Sequence, residues 1–308
     1  MTETVNQPIS PDLRKWIGTQ LAAGHQPQVL QKSMLDTGWS SPVVCAALAE
    51  FGFNVEPAAS APMAPAPAQA VQSAAAATVG TVGAAEPATR RPLPGPSLDG
   101  EPLFVDAGDR RVRVLQTMTH PRVVVFGDLV AAEECEQLIE LARARLARSL
   151  TVEMKTGGEM LSVDRTSDGM FFQRGENEVV ARLDARIAKL LNWPVEFGEG
   201  LQILRYAPGA QYAPHYDYFD PNEPGTPTIL KRGGQRVGTL VMYIGEPEKG
   251  GATTFPDVGL SVAPQRGSAV FFSYDRPAPE TRTLHGGAPV VAGEKWVATK
   301  WLREAEFI

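Results

Sequence analysis

The spacing of apolar residues along the 308-residue chain changes character twice. Between residues 11 and 53 apolar positions recur at helical spacing: Leu13, Trp16, Ile17 and Leu21, then Val29, Leu30, Met34 and Leu35 before Gly38. A third run opens at Ser41-Pro42 and closes near Gly52. Serine before proline suits an N-cap and first turn, and glycine after the last periodic residue suits a left-handed C-cap. Three short helices are therefore expected, packed as a small module over residues 1–55. Such a bundle is marginal alone, because it buries little surface. It contains no catalytic cluster, and His25 and Trp39 read there as packing and turn residues.

Residues 56–97 are dominated by alanine and proline, with APMAPAPAQAVQSAAAATVG at their centre. Recurrent proline breaks helices, and few large apolar groups are present to offset ordering entropy, so a flexible linker is expected. From about residue 98 short apolar runs alternate with turn residues. Strands are predicted at Val112–Met118, Arg122–Phe126, Leu150–Met154, Leu201–Tyr206, Gly238–Ile244, Ser268–Ser273 and Lys295–Leu302. Two helices interrupt them. Residues 131–147 carry Cys135, Leu138, Ile139, Ala142 and Leu146 on one stripe, and residues 177–191 carry Val180, Leu183, Ile187 and Leu191 before Trp193-Pro194 ends the run. The expected class for residues 98–308 is mainly β with flanking helices (α+β), a barrel or sandwich buttressed by helices on one face.

Charge and cysteine content narrow the functional classes. A formal net charge of −6 gives no footprint for a phosphate backbone, so nucleic acid is not an expected partner. The two cysteines, Cys45 and Cys135, fall in separate predicted helices, which excludes a disulfide framework or a cysteine-ligated zinc site. No apolar stretch approaches the ~20 residues that cross a bilayer. The first residues show no basic region followed by an apolar run. No membrane association and a cytoplasmic location are the expectations.

Only four histidines occur, and two stand in suggestive company: Tyr212-Ala213-Pro214-His215-Tyr216-Asp217 and Thr283-Leu284-His285-Gly286-Gly287. Residues two apart on a strand point the same way, so His215 and Asp217 can offer an imidazole and a carboxylate to one ion. A second strand would supply His285. Two imidazoles and a carboxylate on one face leave positions open for a co-substrate and oxygen on iron(II). His-x-Asp alone arises often by chance, and the trio could equally hold zinc or be unrelated histidines.

Further motifs lie on either side. His285-Gly286-Gly287-Ala288-Pro289-Val290 is followed by Gly293-Glu294-Lys295-Trp296-Val297-Ala298-Thr299-Lys300-Trp301-Leu302. Upstream stand Arg165-Thr166-Ser167, Leu201-Gln202-Ile203-Leu204-Arg205-Tyr206-Ala207-Pro208-Gly209 and Gly250-Gly251-Ala252-Thr253-Thr254-Phe255-Pro256. In order and spacing this set resembles the prolyl 4-hydroxylase branch of the iron(II)/2-oxoglutarate-dependent oxygenases, over roughly residues 98–308. The resemblance implies a double-stranded β-helix (jelly-roll) core. It implies a dioxygenase that hydroxylates a prolyl residue in a peptide or protein, with release of succinate and carbon dioxide. His215, Asp217 and His285 match the iron ligands, Lys295 the anchor of the distal carboxylate of 2-oxoglutarate, and Tyr206 and Thr299 hydroxyls that bond this co-substrate. Ascorbate would serve as reductant. Asp217 in place of a small residue favours hydroxylation over halogenation.

Lys295 and Thr299 are four apart and so share a face, whereas Lys300 is offset to the other and reads as an ordinary solvated lysine. Arg165, Arg205, Arg282 and Trp301 are candidates for the channel wall. The long glycine- and proline-rich stretches Lys155–Asp164 and Tyr218–Val237 read as substrate-covering lids. Two other readings stand beside the prolyl one: the same chemistry on a free amino acid or other small molecule, and a non-catalytic metal-bound binding module. The N-terminal helices faintly resemble small three-helix interaction domains, so residues 1–55 are a candidate site for a protein partner.

Overall fold

A computed structural model of the chain describes residues 9, 13, 14, 17, 18, 21, 26–36, 41–55, 93–152, 158–161 and 165–308. The chain divides into two compact units, Met1–Pro92 and Leu93–Ile308. In the first, helices α1 (Pro27–Asp36) and α2 (Ser41–Ala49) follow a helical stretch that includes residues 13, 14, 17, 18 and 21. Leu13, Ile17, Leu30, Met34, Val44 and Leu48 form its core, the stripes expected from their spacing. Trp16, His25, Gly38 and Trp39 lie outside the described residues, as does the Ala/Pro-rich stretch up to residue 92.

Residues 93–97, read from sequence as linker, instead belong to the second unit. The Gly95 N–H donates to the Leu191 carbonyl at 2.7 Å, and the Gly95 carbonyl accepts from Asn192 at 3.0 Å. Proline content alone marks these residues as linker, yet they edge a packed segment in which Pro94 and Gly95 are buried.

The strands of this unit, in chain order, begin with β1 (Phe104–Asp106), β2 (Arg111–Met118), β3 (Arg122–Gly127) and β4 (Ala147–Arg148). Then come β5 (Leu150–Val152), β6 (Glu159–Leu161), β7 (Asp168–Phe172), β8 (Leu201–Tyr206), β9 (Tyr212–His215) and β10 (Arg236–Gly245). The last are β11 (Lys249–Gly250), β12 (Thr253–Phe255), β13 (Leu260–Val262), β14 (Ala269–Ser273), β15 (His285–Gly287), β16 (Val290–Ala292) and β17 (Lys295–Arg303). Nine of them form one antiparallel sheet, ordered β1-β2-β3-β14-β10-β17-β8-β7-β4, and four form a second, β13-β12-β15-β9. Small pairs β5-β6 and β11-β16 complete the set.

Helices α3 (Ala132–Arg143) and α4 (Glu178–Leu191) cover one face of the large sheet. Alternation along its strands sorts side chains between two cores. Val124, Phe126, Phe271, Leu240 and Ala298 meet the helices, while Val123, Val125, Phe272, Tyr243 and Val297 face the small sheet with Phe255 and Val262. The result is the helix-buttressed jelly roll. Asn177 caps α4, its side chain accepting from the Val180 N–H at 3.0 Å, and Asn192 ends it in a left-handed conformation ahead of Trp193-Pro194. Helix α3 stops at Arg143, short of the predicted residue 147, because Ala147–Arg148 pairs with β7.

Two corrections follow from a sheet covered on both faces. Every residue of β17 is buried, so the odd-offset positions meet helices instead of water. Lys300 is accordingly no solvated lysine: its ammonium donates to Asp184 of α4 at 2.7 Å, with both side chains 2 % exposed. The stretch Tyr218–Val237 is not an open loop either. It holds a short helix, α5 (Thr226–Leu230), buries Phe219, and is closed at its base by Phe219 and Gln235, which exchange two hydrogen bonds of 2.7 and 2.8 Å. Of the other proposed lid, residues 155–157 and 162–164 lie outside the described residues, and Glu159–Leu161 pairs with Leu150–Val152 as a hairpin.

Candidate metal centre and co-substrate cleft

Strands β9 and β15 bring the two histidines together as direct cross-strand partners, His215 opposite His285. The approach is close: a Cβ on Gly286 would sit 2.9 Å from the Tyr212 carbonyl oxygen, so only glycine fits after His285. Asp217 is not on the strand as its spacing suggested. The strand ends at His215, and the chain has already turned toward the Phe219–Gln235 segment when it delivers the carboxylate. The outcome is the same convergence. One Asp217 oxygen lies 3.6 Å from His215 Nε2 and the other 3.4 Å from His285 Nε2. The ligand atoms of all three residues lie within 4.8 Å of one another.

Hydrogen bonds behind this trio fix its chemistry. His215 Nδ1 is 2.9 Å from the Ala213 carbonyl, and His285 Nδ1 is 2.9 Å from that of Thr283. A carbonyl only accepts, so each Nδ1 carries a proton, and Nε2 is the ring atom turned toward the shared point. Burial pushes His285 down to about 4, which keeps it neutral near pH 7. Burial alone would raise Asp217, but His285, His215 and Arg236 hold it well below the usual carboxylate range. Thr239 donates to its Oδ2 at 2.7 Å, and the Thr239 hydroxyl is 3.1 Å from that of Tyr274. An anionic carboxylate with two imidazole lone pairs is a donor set suited to iron(II), open on one side.

That open side is a cleft lined by Tyr206, Thr253, Lys295, Thr299 and Trp301. Lys295 is buried, and among the described residues no carboxylate or hydrogen-bond acceptor meets its ammonium. Its nearest ring neighbours are Tyr206 and Tyr243, at 5.4 and 5.6 Å from the ring centres. Burial without a counter-ion lowers it to about 7. A buried cation left unpaired is costly and calls for an anion. The cleft therefore fits a dicarboxylate that reaches from the metal point to Lys295.

The sequence-derived site residues thus converge. Tyr206 is the direct cross-strand partner of Lys295, and Thr299 lines the same cleft from β17. Of the proposed channel residues, Arg165 and Trp301 line the cleft; Arg165 donates to Gln202 at 2.7 Å, and the Trp301 indole N–H is buried with no protein partner among the described residues. Arg205 and Arg282 do not. Arg205 pairs with Asp168 at 3.2 Å outside the cleft, and Arg282 is exposed in a left-handed turn. Four residues were missed. Arg236 stacks on Trp301 at 4.0 Å with one edge toward Asp217, held there by Glu199 through bonds of 2.7 and 3.0 Å. Thr239 orients Asp217, and Thr253 accepts from Tyr243 at 2.7 Å, which leaves its own proton free for the cleft. Inward alternation on β10 could have found Thr239.

A family model described as the 2OG-Fe(II) oxygenase superfamily matches residues 201–303, the span that carries this site. Prolyl 4-hydroxylase 5 of Arabidopsis thaliana is 42% identical over 221 residues, covering 65% of this chain and 74% of that protein. The chain belongs to the prolyl 4-hydroxylase-like branch of that superfamily. It is a 2-oxoglutarate-dependent dioxygenase, with Fe(2+) as metal and 2-oxoglutarate as co-substrate. Prolyl 4-hydroxylase 1 of the same plant is 41% identical over 202 residues, with 60% of this chain and 69% of that protein covered. Among solved structures, a viral collagen prolyl hydroxylase from Paramecium Bursaria Chlorella virus-1, in its 2OG complex, aligns at 29% identity and a TM-score of 0.45 over 59% of this chain and 95% of that one.

Proposed function

We propose that this oxygenase hydroxylates prolyl residues within a peptide or protein, with His215, Asp217 and His285 as iron ligands and Lys295 as the anchor of 2-oxoglutarate. The observation that carries the residue assignment is the lone buried ammonium of Lys295 beside a trio of metal-competent side chains. A structural metal has no use for such an anchor. Bound iron(II) supplies oxygen activation coupled to decarboxylation of 2-oxoglutarate to succinate and carbon dioxide.

The chain's own groups do the rest. Lys295 pairs with the distal carboxylate, and Tyr206, Thr253 and Thr299 offer hydroxyls beside it. Thr239 and the two backbone carbonyls hold the three ligands in orientation. The Trp301 indole N–H, on the cleft wall and without a protein partner among the described residues, offers a donor for a peptide carbonyl. The apolar walls Leu204, Val241 and Val297 keep water from the reacting carbon.

Incubating the full chain with iron(II), 2-oxoglutarate and proline-containing peptides under air should add one oxygen to a proline, seen by mass spectrometry, with matching succinate. Oxygen added only to free amino acids would overturn the peptidyl reading. The same reading takes ascorbate as a reductant that sustains turnover, a cytoplasmic setting, and a protein partner for residues 1–55. Pull-down with residues 1–55 against the same chain lacking them tests the last of these.

A further inference from the structure

A second groove, apart from the metal cleft, opens on the catalytic unit. It spans about 1130 Å³ between α3, the start of α4 and the ends of β10 and β17. The two sites lie on opposite sides of the large sheet. Lys295 points into the cleft, while its neighbour Trp296 and Ile244 of β10 belong to the helix-side core that floors the groove. An occupant of the groove would therefore leave the cleft open.

The floor is apolar, with Ile139, Ile244 and Trp296, and Leu141 stands at its edge 47% exposed. The rim is acidic: Glu136, Glu140, Glu178, Glu246 and Glu294 against Arg143 and Arg266. Those two arginines do not neutralise it. Arg266 is taken by Glu136 at 3.1 Å, and Arg143 lies over the Trp296 ring at 5.2 Å. Glu294 accepts from the Trp296 indole N–H at 3.2 Å, and its one cation among the described residues is Arg205, at 3.8 Å. Among the described residues no cation lies within ion-pair distance of Glu140, Glu178 or Glu246. An apolar trough with uncompensated carboxylates on its rim attracts a complementary cationic surface and gains from burying an apolar side chain.

We propose that this groove docks a basic polypeptide segment of a partner protein, with lysine or arginine side chains at the glutamate rim and a large apolar side chain on the Ile139–Trp296 floor. Recruitment there would hold a protein on the enzyme without occupying the catalytic cleft.

The test uses the full chain and a fluorescein-labelled amphipathic peptide of lysine and leucine, followed by anisotropy at about 50 mM and about 300 mM salt. Wild type should bind, and a peptide with glutamate in place of lysine should not. Glu140→Lys/Glu178→Lys should weaken binding by about tenfold or more, and Leu141→Asp by several-fold at both salt concentrations. The double change Asp99→Lys/Glu101→Lys, equal in charge but away from the groove, should alter affinity less than about twofold. Equal weakening by both double variants would mean attraction to net charge alone and would overturn the proposal. Groove variants that bind like wild type, or a wild type that does not bind, would overturn it as well.

Discussion

His215 and His285 face each other across β9 and β15, and each donates its Nδ1 proton to a carbonyl two residues before it. The same short backbone loop thus serves both rings, and the Nε2 atoms are aimed before any metal arrives. Loss of one of three protein ligands should remove iron binding at micromolar metal and abolish succinate formation. Alanine at His215, Asp217 or His285 should do so alike. Isothermal titration with iron(II) under nitrogen, beside a succinate assay in air, checks it; an Asp217→Ala chain that turned over at the wild-type rate would refute the metal assignment.

Thr239 offers a milder lesion. Its hydroxyl donates to Asp217 Oδ2, and such outer hydrogen bonds typically contribute ~10–100-fold in metal affinity or activity. Thr239→Val keeps the shape and removes the donor. Iron affinity or kcat should fall within that range with folding intact, and an unchanged enzyme would show that the Thr239 hydroxyl is not what orients the carboxylate.

Lys300 and Asp184 test the interior rather than the chemistry. Removing one member of a buried ion pair leaves an uncompensated charge, at a cost on the order of 3–5 kcal/mol. Lys300→Met should therefore be strongly destabilised in urea titration, while Lys300→Met/Asp184→Leu should recover much of the loss. In the recovered double variant the affinity for 2-oxoglutarate should stay near wild type, because Lys300 is on the helix side of β17.

Much of this architecture is legible in the sequence because the long strands carry it. Leu201–Tyr206 matches its predicted bounds, and β2, β3, β10, β14 and β17 depart from theirs by one or two residues at an end. Three-residue strands such as β12 and β15 are too short for a period to register between glycines and prolines. Lys300 was misplaced for a different reason: alternation tells which face a residue takes, not what covers that face. Arg236 and Glu199 stand 37 residues apart, and nothing local announces that they meet.

The boundary at Leu93 has a consequence for truncation. A chain beginning at Leu93 keeps the Gly95–Leu191 and Gly95–Asn192 hydrogen bonds and should retain 2-oxoglutarate turnover. One beginning at residue 98 loses both, along with buried Pro94, and should melt earlier. Equal melting temperatures for the two would show that residues 93–97 contribute nothing to the fold.

Lys295 makes co-substrate binding depend on pH in a direction that can be stated. In the empty cleft burial lowers its ammonium to about 7, whereas a bound carboxylate beside it favours the charged form. The dianion of 2-oxoglutarate thus binds the protonated lysine and, above pH 7, draws a proton onto it. Below about 7 Lys295 is already charged, and affinity should be flat until the co-substrate itself protonates. Above about 7 the protonated fraction falls, and the apparent affinity should drop by up to about tenfold per pH unit, since each pKa unit is worth about 1.4 kcal/mol. Lys295→Arg keeps its charge throughout this range, so its affinity should be weaker at pH 7 but independent of pH up to 9. Lys295→Ala should lose roughly two to four powers of ten, as expected when a buried pair loses one partner. Titrating the iron-loaded proteins with 2-oxoglutarate under nitrogen, at pH 6.5 to 9 and with the visible absorption band as readout, separates these cases. A wild type without slope above pH 7, or Lys295→Ala with wild-type affinity, would remove Lys295 from the co-substrate site.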